Sequence, residues 1–302
     1  LSVFPPNRIM PGSYFSSREA QIGRFRVRAL RDASFALDGG AMFGVVPRPI
    51  WEKLTPVFED NTIPCATTPF LIEDGKNIIV VETGMGRRWS EKHQKMYHID
   101  FSDGHCLVES LAELGVAPED VTHCLLSHAH FDHAGAACGS DGSPQFPNAE
   151  YWLEKSEVEA STVPDHMRRA SYRREDIQPL IDAGILNVFD QETEVLPGVT
   201  MELFGGHSEG LSLIKFESEG KIGAFWSDFV PTRNHVHLPF IMAYDMNAER
   251  SYQVRKHLIP KACEENWLCM LYHDPVSPLG HFVCTEGKYS FNPLMMDSVE
   301  NS

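Results

Sequence analysis

The sequence predicts an α/β protein in which two β-sheets pack face to face and helices cover their outer surfaces. Strand-like and helix-like stretches occur in both halves of the 302-residue chain, which is typical of layered α/β architectures. No repeat, low-complexity tract or linker divides the chain. We therefore predict an extended arm over residues 1–23, where Pro5, Pro6 and Pro11 stand, followed by a single domain over residues 24–302.

The first half of the chain supplies strands and one clear helix. Residues 24–37 alternate in the manner of a strand, and residues 65–73 and 77–82 predict a hairpin around Asp74-Gly75. Residues 107–114 have helical spacing and stop at Gly115, and residues 121–127 predict a strand. The glycine-rich residues 39–44 have neither the context of a dinucleotide site nor the lysine of a P-loop. They are either a tight turn or a pocket wall that presents Met42 and Phe43.

The second half continues the alternation. Residues 151–153 predict a short strand, 155–161 a helix, and 165–183 an amphipathic helical stretch that Gly184 ends. Strands follow at 185–189 and 200–204. Residues 211–217 and 221–227 predict a strand pair around Glu219-Gly220. A helix over 249–265 and a strand over 268–272 complete the set.

Composition restricts the class of function. The net charge of −16 repels phosphate backbones, which disfavours general binding of nucleic acid. No stretch approaches the roughly 20 apolar residues that a membrane span needs. The seven cysteines form no Cys-x-x-Cys pair, which favours reduced thiols in a cytoplasmic protein. Because the numbering begins at Leu1, a removed secretion signal stays open.

One segment contains four metal-binding side chains within six residues: His128, His130, Asp132 and His133. On an α-helix these side chains would point in widely different directions. On a strand, His133 would oppose the other three. We therefore predict a loop after strand 121–127, folded so that the four side chains meet around a cation.

Three further candidates each follow an apolar, strand-like run: His207 after 200–204, Asp228 after 221–227 and His273 after 268–272. Each alone has the character of an ordinary polar residue at a strand end. In this order behind the histidine-rich loop, they suggest that a sheet delivers more ligands to one edge.

This series resembles the ligand series of the metallo-β-lactamase superfamily, and in particular its N-acyl homoserine lactone lactonase, or quorum-quenching, branch. The resemblance covers roughly residues 25–285 and includes residues 80–84, the turn at 206–210 and the stretch from Pro231-Thr232 to Tyr244-Asp245. It implies the αβ/βα four-layer sandwich of that superfamily, with metals at one edge between the sheets.

The resemblance also implies which residues bind which metal. One ion would take His128, His130 and His207, and the other Asp132, His133 and His273. Asp228 would bridge the two ions. Imidazole and carboxylate ligands suit two Zn²⁺ per chain, although manganese, cobalt or iron also fit such a set.

The function that the resemblance implies is a binuclear metal-dependent hydrolase. A metal-bridging hydroxide would open lactones or related esters, including N-acyl homoserine lactones, and Asp132 would pass a proton to the leaving alkoxide. Phosphotriester (organophosphate) and thioester hydrolysis are the alternatives on the same site. A metal-dependent nuclease and a non-catalytic scaffold are less favoured classes. The expected partner is a small-molecule substrate, with no nucleic acid and no membrane, and a homodimer stays open.

Two departures from the branch affect the expected site. Glu82 stands where the superfamily usually has Asp, in Glu82-Thr83-Gly84. Pro231 stands where the known lactonases have a Tyr after the bridging Asp. We therefore expect His235 or Tyr244 to polarise the substrate carbonyl. Met42, Phe43 and Phe131 are the residues we expect to line the substrate pocket.

Overall fold

The computed structural model describes residues 19–101 and 106–294. In these ranges sixteen strands are present. They are β1 (Glu19–Ile22), β2 (Phe25–Ala29), β3 (Ala33–Asp38), β4 (Thr62–Thr67), β5 (Phe70–Glu73), β6 (Ile78–Val81), β7 (His123–Leu125), β8 (Glu150–Glu154), β9 (Leu186–Phe189), β10 (Thr193–Leu196), β11 (Val199–Leu203), β12 (Ser212–Ser218), β13 (Lys221–Phe225), β14 (Leu268–Met270), β15 (Leu279–Thr285) and β16 (Lys288–Pro293).

Seven α-helices connect these strands in the described ranges. They are α1 (Gly39–Phe43), α2 (Arg48–Trp51), α3 (Glu91–Met96), α4 (Leu107–Glu113), α5 (Lys155–Thr162), α6 (Arg174–Asp182) and α7 (Ala248–Glu264). Short 3₁₀ segments lie at Pro118–Asp120, Arg168–Ala170, Ser227–Phe229 and Arg233–Val236. Among the described helices, none combines the length and the apolar character needed to cross a bilayer.

The strands form two large sheets and one small one. The first sheet has the order β1-β2-β5-β6-β7-β8-β9, and the second has the order β10-β11-β12-β13-β14-β15-β16. Strands β6 to β9 run parallel, whereas the second sheet is antiparallel except where β13 meets β14. The pair β3-β4 stands apart from both sheets.

Alternation of side chains along the strands divides the core into layers. In β6, Ile79 and Val81 belong to a cluster shared by both sheets, while Val80 between them joins a cluster on the outer face. In β13, Phe225 points into the shared cluster and Ala224 out of it. Successive side chains of a strand point to opposite faces, so the shared cluster is the interior of a sandwich.

Helices cover both outer faces. Leu107 and Leu111 of α4 and Ile177 of α6 pack on the outer side of the first sheet. Leu258 and Ile259 of α7 pack on the outer side of the second sheet. The order helix, sheet, sheet, helix confirms the predicted α/β fold, an αβ/βα four-layer sandwich.

Several predicted elements have different bounds. Residues 24–37 are two strands, because the chain leaves the first sheet after Ala29 and enters the β3-β4 pair. Residues 65–73 likewise divide into the end of β4 and β5. The hairpin around Asp74-Gly75 is present, since Glu73 pairs with Ile78. Residues 165–183 contain a 3₁₀ turn and the shorter helix α6.

Two predictions near the start of the chain also need correction. The predicted arm ends before residue 23, because Glu19–Ile22 form β1 and pair with β2. The rest of that arm, residues 1–18, lies outside the described residues. The glycine-rich stretch forms helix α1 and not a tight turn, and the Asp38 side chain caps it by accepting from the Ala41 N–H at 2.7 Å.

Candidate metal centre

Side chains that follow four different strands meet at one edge of the sandwich. The histidine-rich loop follows β7, the turn with His207 follows β11, Asp228 lies in a 3₁₀ turn after β13, and His273 follows β14. In the second sheet, β11, β13 and β14 run in the same direction and therefore end at this common edge. All seven residues that the sequence singled out as metal ligands fall into two adjoining groups.

The first cluster consists of His128, His130, His207 and Asp228, whose ligand atoms all lie within 4.8 Å of one another. His207 Nε2 is 3.1 Å from His130 Nδ1 and 3.0 Å from Asp228 Oδ2. His128 and His130 reach the same point from alternate positions of one loop. Three imidazoles and one carboxylate oxygen therefore converge here.

The second cluster consists of Asp132, His133 and His273. His273 Nε2 is 3.2 Å from His133 Nε2 and 3.5 Å from Asp132 Oδ2. Asp228 Oδ1 is 3.1 Å from His273 Nε2 and 3.5 Å from His133 Nε2. Because the other oxygen of Asp228 faces His207, this carboxylate stands between the two clusters, as a bridging ligand would.

The residues at this edge fit divalent cations. His128 Nε2 is fully buried and has no hydrogen-bond partner within the described residues, and such an atom is costly unless a cation is bound beside it. The donors are nitrogens and oxygens, a set that suits zinc. Cys65 lies nearby, but burial and the Asp132 carboxylate raise the pKa of its thiol, which disfavours the thiolate needed for metal binding.

Hydrogen bonds on the far side of the rings orient three of the histidines. His207 Nδ1 pairs with Asp245 Oδ1 at 2.9 Å, and His273 Nδ1 with the Ala66 carbonyl at 2.9 Å. His128 Nδ1 lies 3.0 Å from Ser127 Oγ. Such partners fix which ring nitrogen is free to bind a metal. Asp245 lies in the stretch that resembles the lactonase branch, but its contact with His207 could be seen only in the structure.

Glu82, which stands where the superfamily usually has Asp, lies next to His133 of the second cluster. It is fully buried and has a positive φ of 62°. Its Oε1 accepts from the Ser127 N–H at 3.0 Å and lies 3.7 Å from His133 Nδ1. The extra methylene therefore leaves the carboxylate beside a predicted metal ligand, and φ in the left-handed region marks a conformation held by its surroundings.

The histidines of the site differ in the direction in which their surroundings shift the pKa. Burial, followed by the neighbouring imidazoles, lowers the pKa of His128 and His130 well below the ordinary value, so both are neutral, as metal ligands must be. Burial also opposes the charged form of His207, but Asp228 and Asp245 outweigh it and raise the pKa to about 10. In the metal-free protein a proton on His207 thus balances Asp228, and metal binding would displace it.

A cavity of about 380 Å³ opens onto both clusters. Five of the seven predicted ligands line it directly: His130, Asp132, His207, His273 and the bridging candidate Asp228. Its remaining wall is mostly apolar and consists of Leu37, Met42, Phe131, Met167, Ala170, Met242 and Met246. Tyr97, Tyr172, Tyr244, Arg168 and Ser171 supply its polar groups. Met42, Phe131 and Tyr244 are therefore placed where the sequence predicted pocket residues.

The structure places His235 and Phe43 elsewhere. His235 is fully buried outside the cavity, with Nδ1 2.8 Å from Thr232 Oγ1 and Nε2 2.9 Å from the Met42 carbonyl. Phe43 stacks between His235 and Trp51 and is also fully buried. Since both ring nitrogens of His235 are occupied, its predicted role in polarising a substrate carbonyl is wrong. Instead the ring supports α1 behind the cavity wall.

Arg255 of α7 holds the segment that follows His235. Its guanidinium is buried and donates to the carbonyls of Phe240 and His237, each at 2.7 Å, and to the carbonyl of His235. Burial lowers the pKa of Arg255 to about 10, so the group keeps its charge at neutral pH. The segment leads directly to Met242 in the cavity wall.

We expect Arg255→Met to destabilise the fold, because the apolar stem is kept while three buried carbonyls lose their donor. The expected loss in the free energy of unfolding is about 2–3 kcal/mol, measured by urea denaturation. Arg250→Met, an exposed position on the same helix, is the control and should change it by less than about 0.5 kcal/mol. An Arg255→Met protein as stable as that control would contradict this role.

The comparisons with known proteins define the class. The model of the metallo-beta-lactamase superfamily matches residues 62–272, which is more than half of the chain. The chain therefore belongs to the metallo-beta-lactamase superfamily, as its histidine-rich loop indicated.

Individual relatives indicate which members of the superfamily the chain resembles. An N-acyl homoserine lactonase of Bacillus cereus is 30% identical over 159 residues, which are 50% of this chain and 58% of that protein. A probable metal-dependent hydrolase from Staphylococcus aureus has a TM-score of 0.86 and 27% identity, covering 93% of this chain and all of that one. AidC, a dizinc quorum-quenching lactonase solved with the product N-hexanoyl-L-homoserine, has a TM-score of 0.75 and 19% identity over 93% of this chain and 98% of its own. The resemblance to the lactonase branch is confirmed.

Proposed function

We propose that this protein is a binuclear metal-dependent hydrolase that opens lactones or related esters. The observation that supports this best is the cavity, because one apolar chamber opens onto both metal clusters at once. A ring ester that enters it would place its polar carbonyl against the clusters and its substituent against the methionine- and phenylalanine-lined wall. Apolar pockets with a few converging polar groups are typical binding sites for small molecules.

The seven predicted ligands would hold two divalent cations, most consistent with Zn²⁺. When bound, such cations lower the pKa of a water molecule to near neutrality and polarise a carbonyl oxygen. Asp132, whose Oδ2 lies 3.5 Å from His273 Nε2 and which lines the cavity, would hold the proton that the leaving alkoxide needs. The Tyr272 hydroxyl donates to the Asp132 carbonyl at 2.5 Å and fixes that residue in place.

Tyr244 is the residue that we propose to orient the substrate carbonyl, in place of the Tyr that is missing at Pro231. It lines the cavity and its side chain stays 40% exposed, so its hydroxyl can meet a substrate. Burial raises the pKa of Tyr244, which keeps the phenol protonated and able to donate. In lactone or ester hydrolysis, the acceptor of this hydrogen bond would be the neutral carbonyl oxygen of the substrate.

The shape and charge of the cavity favour lactones over the alternatives. Of the described residues that line it, Arg168 is the only Lys or Arg, and its guanidinium lies 3.5 Å from Glu209 and 3.6 Å from Asp165. A glutathione thioester, with two free carboxylates, finds no further cation there. An aryl phosphotriester would fit the apolar wall, and so it is the second candidate. The likeness to the N-acyl homoserine lactonase of Bacillus cereus, and the fold shared with the lactonase AidC, support the first.

The substrate class is tested with a panel. We expect γ- and δ-lactones and N-acyl homoserine lactones to give a higher kcat/KM than an aryl phosphotriester, a chromogenic cephalosporin or a glutathione thioester. All should be assayed with the same zinc- or manganese-loaded protein. A non-lactone that exceeds every lactone by tenfold or more in kcat/KM would overturn the lactone assignment but leave the binuclear hydrolase standing.

The surroundings in which we propose that the enzyme works are cytoplasmic. All seven cysteines are free thiols in the structure, and thiols persist in reducing compartments. The proposed partner is a small-molecule ester or lactone alone, and whether two copies associate is tested by light scattering on the same preparation.

A further inference from the structure

Glu157 is a buried carboxylate that the chemistry described so far does not use. It lies in α5, outside the histidine-rich loop, and is 1% exposed. Burying a carboxylate is costly unless hydrogen bonds or charges compensate, and burial raises the pKa of Glu157. A helix residue that faces solvent carries no such cost, so the burial of Glu157 indicates a specific role for its carboxylate.

The hydrogen bonds of Glu157 join three segments around the first cluster. Its Oε2 accepts from the Ala129 N–H at 3.1 Å and from the Tyr172 hydroxyl at 2.9 Å. Its Oε1 accepts from the Gly210 N–H at 3.0 Å. Ala129 stands between His128 and His130 in the chain, and Gly210 closes the turn that contains His207.

Tyr172 provides a second connection from Glu157 to His130. Its ring lies edge-on to His130 with centroids 4.7 Å apart, and the backbones of the two residues form an isolated β-bridge. One carboxylate thus contacts both backbone segments that bear the three histidines of the first cluster, and also the tyrosine whose ring packs on His130. The second cluster, Asp132, His133 and His273, has its own supports at Glu82, Tyr272 and Ala66.

The turn at His207 depends on such an anchor. Gly206 has a φ of 124°, and a Cβ there would lie 2.6 Å from Ser251 Oγ, so the turn is pressed against α7 on one side. On the other side the Gly210 N–H points at Glu157. Anchored at both ends, the turn presents His207 to Asp228 at 3.0 Å.

We infer that Glu157 is a positioning residue that sets the metal affinity of the first cluster and leaves that of the second unaffected. The inference rests on the proposed metal centre. A carboxylate is suited to this task because both of its oxygens accept, while the Ala129 N–H, the Gly210 N–H and the Tyr172 hydroxyl all donate. A glutamine would set an NH₂ group against at least one donor, although its volume is nearly the same.

The test is Glu157→Gln, with Co²⁺ titrated into the metal-free protein against a competing chelator and followed by absorption. We expect one of the two Co²⁺ affinities to fall about 10–100-fold, the usual cost of losing a partner behind a metal ligand, while the other changes less than about threefold. His207→Ala and His273→Ala assign the two binding steps, and Glu157→Gln should weaken the step that His207→Ala removes.

The control is Glu202→Gln, the same chemical change at a carboxylate on β11 that pairs with Lys215 on β12. It should leave both affinities at the wild-type values. Urea denaturation of the metal-free variants separates a loss of fold from a loss of metal. If Glu157→Gln fails to fold, Tyr172→Phe removes one donor from the same carboxylate and should produce a smaller loss confined to the same step.

The outcomes are distinct. A Glu157→Gln protein that binds both ions as the wild type does, or that loses both equally, would overturn the inference. So would a Tyr172→Phe protein with both affinities unchanged, should it replace Glu157→Gln. A wild-type protein that binds no Co²⁺ would instead overturn the proposed metal centre.

Discussion

Asp228→Ala should abolish most of the activity and most of the bound metal together. Asp228 places one oxygen 3.0 Å from His207 Nε2 and the other 3.1 Å from His273 Nε2, so its loss removes a ligand from both clusters. Cations at such a site contribute several kcal/mol to the transition state, so we expect kcat/KM to fall by on the order of 10³-fold. Elemental analysis should find well under two metal ions per chain, whereas we expect close to two in the wild type.

The control for this change is Asp182→Ala, an exposed carboxylate at the end of α6. It should retain wild-type metal content and activity. An Asp228→Ala protein that keeps two ions and a wild-type kcat/KM would contradict the bridging role. Wild-type protein that contains only trace metal after growth in metal-replete medium would contradict the binuclear site itself. Measuring metal and activity on the same sample distinguishes these results.

The candidate metal ligands could be predicted from the sequence because their chemistry is local. His128, His130, Asp132 and His133 are close enough in the chain that backbone geometry alone excludes a helix or a strand. His207, Asp228 and His273 could be added because each follows an apolar, strand-like run. The three strands concerned, β11, β13 and β14, run in the same direction and so end at one edge of the second sheet. The structure brings all seven together.

The rest depends on contacts between segments far apart in the chain. Nothing near His235 shows that its Nε2 meets the carbonyl of Met42, 193 residues away, so a free imidazole was a reasonable but wrong expectation. Glu157 has the appearance of an exposed helix residue until α5 packs on the first sheet. The glycine-rich stretch before Gly44 became a helix because Asp38 caps it and Phe43 finds Trp51 to stack on. Such tertiary contacts override local propensity.

The residue that follows the last ligand should have a large effect on stability. Asp274 is 1% exposed and accepts five hydrogen bonds. Its Oδ2 accepts from Arg233 N and Nε, each at 2.9 Å. Its Oδ1 accepts from the Arg233 guanidinium at 2.9 Å and from the Val276 and Ser277 N–H groups at 3.0 and 2.8 Å. The His273 N–H in turn donates to the Pro231 carbonyl at 2.9 Å.

Asp274 therefore fastens the segment after Asp228 to the segment that contains His273. We expect Asp274→Ala to lower the free energy of unfolding by about 3–5 kcal/mol, since removing one partner of a buried ion pair leaves the other donors uncompensated. Urea denaturation of the metal-free protein measures this directly. Metal-loaded Asp274→Ala should recover part of the loss, because bound ions favour the folded state by mass action.

Arg233→Met completes the test, since it removes only the cation and leaves the backbone donors of Asp274 in place. The Arg233 side chain is 31% exposed, so we expect a smaller loss of about 1–3 kcal/mol. The double variant should cost less than the sum of the two single changes, because the two residues contact each other. Two outcomes would contradict this role: single losses that add within about 0.5 kcal/mol, or an Asp274→Ala loss below about 1 kcal/mol against the 3–5 kcal/mol expected. Either outcome would mean that other contacts hold the two segments together. The position of His273 would then depend on the strand end at β14 alone.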